Sequence, residues 1–306
     1  MHLALGTAQL GMPYGATNRL GRSPTAKESR ELLETAWSLG IARFDTAQAY
    51  GESELRVGDF FASLPSDEKH RAVVSTKIML SGAESVSEVL RVIEISSERL
   101  GLSEIPIVLL HRSDAWSMEF LEGLPEIKRS GLVRKLGVSL YDLDEFSRVI
   151  SSSPMPDVIQ APVNALDWRF SRKDLLRDMF AKDAIPEIWG RSVFLQGLLL
   201  ADDVSVWNVT GQMDGILNGV PRALSALRDG THKTALEFSL SVLREACDLD
   251  VLVTGAETSW QVREIANIWK KTADMPQDQI LPFAGCAMLA SIVAGSLVDP
   301  RSWPAR

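Results

Sequence analysis

Ile-Ala-Arg-Phe-Asp (41–45), Ala-Val-Val-Ser-Thr-Lys (72–77) and Ile-Pro-Ile-Val-Leu-Leu-His (105–111) are short β-rich runs, each ending on one ionisable residue. Runs of this kind, set between helical patterns, read as parallel strands buried on both faces. Further runs near 3–6, 133–139, 157–160, 185–190 and 250–254 bring the number to eight. Eight is the strand number of a closed barrel, so the expected fold is α/β, a (β/α)8 TIM barrel forming one domain over residues 1–306. Barrels of this type carry their active sites at the C-terminal ends of the strands. Asp45, Lys77 and His111 fall there, and Tyr50 lies in the loop that follows Asp45.

The intervening helices announce their ends. Thr25-Ala-Lys-Glu28 reads as a capping box, Leu32, Ala36 and Leu39 share one face, and Gly40 suits the C′ position. Val86, Leu90, Ile93 and Leu100 line a second helix that stops at Gly101. One long loop is expected from Arg191 to about residue 230, positioned to cover the barrel mouth. An uncharged segment, about 281–298, meets the minimal length of a membrane span, but Pro282 and its Ala, Gly and Ser content favour a helix lying on the barrel.

A formal charge of −8 without any Lys/Arg run argues against a nucleic-acid surface. The two cysteines, Cys247 and Cys286, show no metal-ligand spacing and read as buried free thiols of a reducing compartment. The N-terminus has no basic segment followed by an apolar one, so a cytoplasmic protein is expected, with no membrane partner and no metal. Nothing in the sequence sets the oligomeric state.

Asp45, Tyr50, Lys77 and His111, in the setting Phe-Asp-Thr-Ala…Tyr-Gly-Glu-Ser-Glu, together resemble the aldo-keto reductases, and the similarity extends over most of the chain. The resemblance implies reduction of an aldehyde or ketone, sugar-derived carbonyls included, to an alcohol by NAD(P)H. Hydride would come from the nicotinamide and a proton from Tyr50. A phenol has a pKa of roughly 10, so a neighbouring ammonium, Lys77, is expected to lower it, with Asp45 keeping Lys77 charged and His111 orienting the carbonyl oxygen. Because these polar groups interrupt apolar strand ends, replacing them is expected to be neutral or stabilising.

The same resemblance assigns a cofactor site. Gly6 and Thr7, from Leu-Gly-Thr-Ala-Gln-Leu-Gly (5–11), would lie under the nicotinamide with Asp45, and Ser139 and Gln160 would bind its carboxamide. The family's Asn after that serine is Leu140 here. Arg191, Ser192, Phe194, Gln196 and Gly197 match the segment after strand seven, with Arg191 where an aromatic commonly stacks on the ring. Gly255, Glu257, Gln261 and Glu264 match the adenosine end, with Arg263 as the nearby cation and Ile265 in place of a common Asn. NADP(H) is the expected cofactor, with NAD(H) the alternative that Glu257 would favour. Tyr14, Met79, Trp116 and the loop near Trp207 are the expected substrate walls. Two other readings use the same residues: a Schiff-base barrel enzyme with Lys77 as nucleophile, and a nucleotide-binding regulatory protein with little turnover.

Overall fold

The computed structural model describes residues 1–18, 20–171, 185–211, 219–273, 283–293 and 295–304. Eight parallel strands close a barrel in sequence order: β1 His2–Gly6, β2 Arg43–Asp45, β3 Val73–Ile78, β4 Ile105–Leu110, β5 Val133–Ser139, β6 Val158–Pro162, β7 Glu187–Arg191 and β8 Val251–Gly255. Helices alternate with them: α1 Ala26–Ser38, α2 Ser53–Ser63, α3 Val86–Leu100, α4 Met118–Arg129, α5 Leu143–Ile150, α6 Val220–Asp229, α7 Ala235–Ala246, α8 Ser259–Ala273 and α9 Phe283–Ile292.

Local chemistry sets the helix ends. Thr25, Ser85 and Thr234 each accept a hydrogen bond from the residue three positions on, while Glu28, Glu88 and Glu237 reach back, so α1, α3 and α7 begin with complete capping boxes. Gly101 stops α3 in the left-handed conformation, with φ +65°.

The two-residue period of the strands divides their side chains between two layers. Leu3, Leu5, Phe44, Val74, Val108, Leu110, Leu136, Val138 and Ile159 pack in the core between the strands and the surrounding helices. The alternate positions Ala4, Ile107, Leu109, Val158, Trp189, Val251 and Val253 form a separate cluster in the barrel interior. Continuing that inward parity toward the C-terminal ends gives Gly6, Asp45, Lys77, Ser139, Gln160, Arg191 and Gly255. One geometric rule thus delivers residues from seven strands to one place.

Two expectations are revised. The stretch after β7 is not one open loop: it contains 3-10 segments at Leu195–Leu200 and Val204–Thr210 and, before residue 230, helix α6. The C-terminal stretch holds two helices, α9 and Gly295–Val298, in place of one, while residues 281, 282 and 294 lie outside the described residues. Among the described residues no helix is long and apolar enough to cross a membrane.

Candidate active site

Asp45 is the last residue of β2, Lys77 is the penultimate residue of β3, and His111 directly follows β4. Asp45 is buried and accepts three hydrogen bonds: from Lys77 Nζ and Ser75 Oγ, each at 2.7 Å from β3, and from Gln160 Nε2 at 2.7 Å from β6. The Lys77 side chain is 1% exposed, so this is an ion pair in a dry environment. Burial lowers the Lys77 pKa and Asp45 opposes that shift.

Tyr50 is held by backbone packing as much as by side chains. A Cβ on Gly11 would fall 1.6 Å from the Tyr50 carbonyl oxygen, and one on Gly51, at φ +57°, would fall 2.3 Å from the Gly11 carbonyl oxygen. Only glycines allow these two turns to touch. The Tyr50 ring then meets His111 edge-on, with ring centres 6.0 Å apart, and lies 5.1 Å from Lys77 Nζ. Burial, followed by the charge of Asp45, raises the Tyr50 pKa well above that of an ordinary phenol. The direction is opposite to the acidic shift expected from Lys77: desolvation and Asp45 outweigh the opposing charge of Arg191, and the proton stays on.

His111 is pushed down to about 4, first by burial and then by Lys77 and Arg191, against the pull of Asp45. Its Nδ1 is buried without a hydrogen-bond partner among the described residues. Between pH 6.5 and about 4 the unfolded chain takes up a proton that the native imidazole refuses, so stability falls as pH falls through that window. His111→Asn should flatten that loss by up to ~3 kcal/mol. Urea unfolding at pH 7 and pH 4.5 checks this, and equal slopes for both proteins would refute the buried neutral imidazole.

These residues form one end of a cavity of about 880 Å³ that runs along the ends of β1, β5, β7 and β8 to the start of α8. Of the residues expected to hold a cofactor, Gly6, Thr7, Asp45, Ser139, Arg191, Ser192, Phe194, Gln196, Gly197, Gly255, Glu257, Gln261 and Glu264 line it. Gln160 does not: it is fully buried beneath the floor, its amide given to Asp45 and its Oε1 without a partner among the described residues. Backbone strain concentrates along this wall. Ser192 and Gln196 on the wall, and Leu195 buried between them, have φ of 61°, 54° and 46°, a conformation that costs non-glycine residues energy and tends to persist at functional sites.

Arg191 makes no ion pair among the described residues and lies 4.0 Å over the Tyr141 ring. The expected substrate walls are corrected in part. Met79 is exposed, Trp116 is buried with its indole N–H donating to Ser152, and Trp207 is buried in a second core, so none of the three lines the cavity. Tyr14 does line it, pushed up to about 12 chiefly by burial. Tyr141, Trp260, Arg228 and Lys233 also line it, and sequence reading assigned them no role. All three tyrosines of the chain therefore face one cavity, a coincidence visible only after folding. Exposed Arg263 is not on the wall. At the start of α8 the amides of Glu257 and Thr258 donate to Gln261 Oε1, at 2.6 and 3.3 Å, so the side chain already caps the helix start expected to meet a phosphate. Among the described residues no cluster of three or more His, Cys, Asp or Glu could hold a metal ion.

The chain is similar to several known proteins. The sequence model of the Aldo/keto reductase family matches residues 2–214. The oxidoreductase sirO of Leptosphaeria maculans is 25% identical over 223 residues, 69% of this chain and 65% of that protein. A D-threo-aldose 1-dehydrogenase of a Pseudomonas species is 28% identical over 239 residues, 64% of this chain and 69% of that protein. The chain thus spans about two thirds of the length of each. An aldo-keto reductase from Bacillus halodurans, solved in its holo form, shares the fold at a TM-score of 0.70 and 18% identity, covering 94% of this chain and 91% of that one. With the family match running through the first seven strands and the four polar groups gathered at their C-terminal ends, this chain belongs to the aldo/keto reductase family of oxidoreductases.

Proposed function

We propose that the protein reduces an aldehyde or ketone to an alcohol with a reduced nicotinamide dinucleotide, Tyr50 acting as general acid. The observation that carries this reading is the meeting of Tyr50, His111 and the buried Asp45–Lys77 pair at one end of a cavity long enough to reach α8. About 880 Å³ lies within the usual range for small-molecule and cofactor sites. Ser139 lines the wall and can bind a carboxamide, and the unpartnered Gln160 Oε1 just below offers an acceptor if the floor adjusts. When bound, the cofactor supplies a hydride to the carbonyl carbon. The remaining chemistry falls to side chains. His111, neutral at physiological pH, orients the carbonyl oxygen by a hydrogen bond. Tyr50, kept protonated by its burial, gives its proton to the same oxygen as negative charge develops there. Lys77 then stabilises the phenolate until solvent returns the proton, and Asp45 fixes where Lys77 points.

A screen of short aldehydes, sugars among them, with NADPH and NADH tests the proposal. No turnover above background, with tight nucleotide binding, would favour the regulatory reading. The lowered pKa of Lys77 is what speaks for a Schiff-base nucleophile. Against it, Nζ is 2.7 Å from Asp45 and nearly inaccessible. Covalent trapping by borohydride in the presence of a carbonyl substrate would reverse that judgement.

For the cofactor we place NADP(H) ahead of NAD(H). Lys233 lines the cavity immediately before α7, whose first residues Ala235 and Leu236 line it too, so an ammonium and a helix N-terminus act on one region. Glu257 and Glu264 also line the cavity and would oppose a 2′-phosphate brought near them, and Arg228 on the same wall pairs with Asp202 at 3.0 Å and Asp229 at 3.5 Å. Lys233→Gln should weaken NADPH about tenfold or more and leave NADH nearly unchanged, whereas Glu257→Ser should tighten NADPH. Tighter NADH than NADPH in the unaltered protein would overturn the order.

A further inference from the structure

Arg191 ends β7 inside the cavity, and among the described residues every partner of its guanidinium is neutral. Nε donates to Ser139 Oγ at 3.3 Å, Nη1 to Ser192 Oγ at 3.1 Å and Nη2 to the Leu140 carbonyl at 3.1 Å, with the Tyr141 ring 4.0 Å away. The carboxylates beyond Tyr141 have another cation: Arg301, 3.7 Å over the same ring, contacts Asp299 at 2.7 Å, Glu145 at 3.3 Å and Asp142 at 3.9 Å. At the reaction end Asp45 and Lys77 balance each other, and the other titratable groups there, His111, Tyr14 and Tyr50, are neutral at pH 7. Among the described residues one positive charge is left over at this end. It acts across the whole reaction end, since Arg191 influences the titration of Tyr14, Tyr50, Lys77 and His111 alike.

Resting on the carbonyl-reductase reading, we propose that Arg191 makes the site discriminate between the two oxidation states of the nicotinamide. The reduced ring is neutral and the oxidised ring carries a unit positive charge. Arg191 acts electrostatically on both Tyr50 and His111, so a positive charge brought beside them falls within range of its guanidinium. Two unit charges roughly 6 Å apart at an effective dielectric constant of about 20 repel enough for about a hundredfold difference in affinity. Partial exposure of Arg191 reduces that to about tenfold. The consequence is direction: the reduced form is captured, the oxidised form is released, and the reverse oxidation of alcohols starts from a weakly bound cofactor. Arg191 is thus a specificity residue for oxidation state, distinct from the groups that move the proton.

Dissociation constants decide it. NADPH and NADP⁺, and separately NADH and NAD⁺, are titrated into the protein, into Arg191→Gln and into Arg191→Lys, with ADP-ribose as a ligand lacking the ring. The expected result is a reduced form bound at least about tenfold tighter. That ratio should fall toward one in Arg191→Gln through tighter oxidised cofactor, be largely kept in Arg191→Lys, and leave ADP-ribose affinity unchanged. Equal affinities in the unaltered protein, or a ratio that survives Arg191→Gln, would overturn the inference and leave the reductase reading standing. If neither oxidation state binds, both fall together.

Discussion

Tyr50→Phe should reduce carbonyl turnover by roughly 10²–10⁴, the usual contribution of a positioned general acid, while nucleotide affinity stays nearly unchanged. The substitution removes one hydroxyl and keeps the ring, so the edge contact with His111 and the approach of Lys77 survive. A loss confined to turnover therefore reports on the proton and not on packing. The structure also supplies a rival that must be tested beside it. Tyr14 lines the same cavity, is held protonated by the same burial, and is close enough to Tyr50 for the two phenols to influence each other. Tyr14→Phe should alter substrate affinity and leave most of the turnover intact. If the losses are exchanged, so that Tyr14→Phe is the dead variant, Tyr14 is the acid and the assignment drawn from chain order is wrong. Steady-state rates with one aldehyde and direct binding of the reduced cofactor separate these outcomes.

What could be read before folding lies along the chain, and what could not lies across it. The strand runs were recovered to within about two residues at each end because buried parallel strands must be continuously apolar, whatever they pack against. Capping boxes at Thr25 and the stop at Gly101 are equally local. Asp45, Lys77 and His111 were legible because each interrupts such a run. Gln160 was assigned to a carboxamide by position, but across the barrel an unoccupied acceptor on Asp45 was the nearer partner, and a buried amide takes what is available. Arg191 on Tyr141, and Lys233 and Glu257 lining one cavity, bring together segments far apart in sequence, and no periodicity records such meetings. Trp116 and Trp207 failed for the opposite reason: they follow strands as wall residues would, yet large indoles are worth more in a core than in a cavity lining.

The sharpest reversal between sequence and structure concerns stability. Polar residues at apolar strand ends were expected to be dispensable for folding, but the geometry of Asp45 argues otherwise. Three buried donors, Ser75 Oγ, Lys77 Nζ and Gln160 Nε2, all point at its carboxylate from 2.7 Å. Asp45→Asn replaces one oxygen by an amide that offers hydrogens where acceptors are needed, and leaves the Lys77 ammonium buried without a counter-charge. Breaking a buried ion pair from one side typically costs about 3–5 kcal/mol. The expected melting temperature of Asp45→Asn, measured without nucleotide, is therefore well below that of the parent protein. The deficit should also depend on pH with a definite sign. Without Asp45 the Lys77 pKa, already lowered by burial, drops further in the native state while the unfolded lysine keeps its ordinary value of 10.5. Between those two values the unfolded chain binds the extra proton, so the variant gains stability as pH rises, more steeply than the parent. Lys77→Met in the Asp45→Asn background removes the stranded ammonium and should recover part of the loss with the pH slope gone. An Asp45→Asn protein that melts with the parent at neutral pH would show that the pair contributes little to folding, and that the strand ends tolerate polar exchange as the apolar pattern alone suggests.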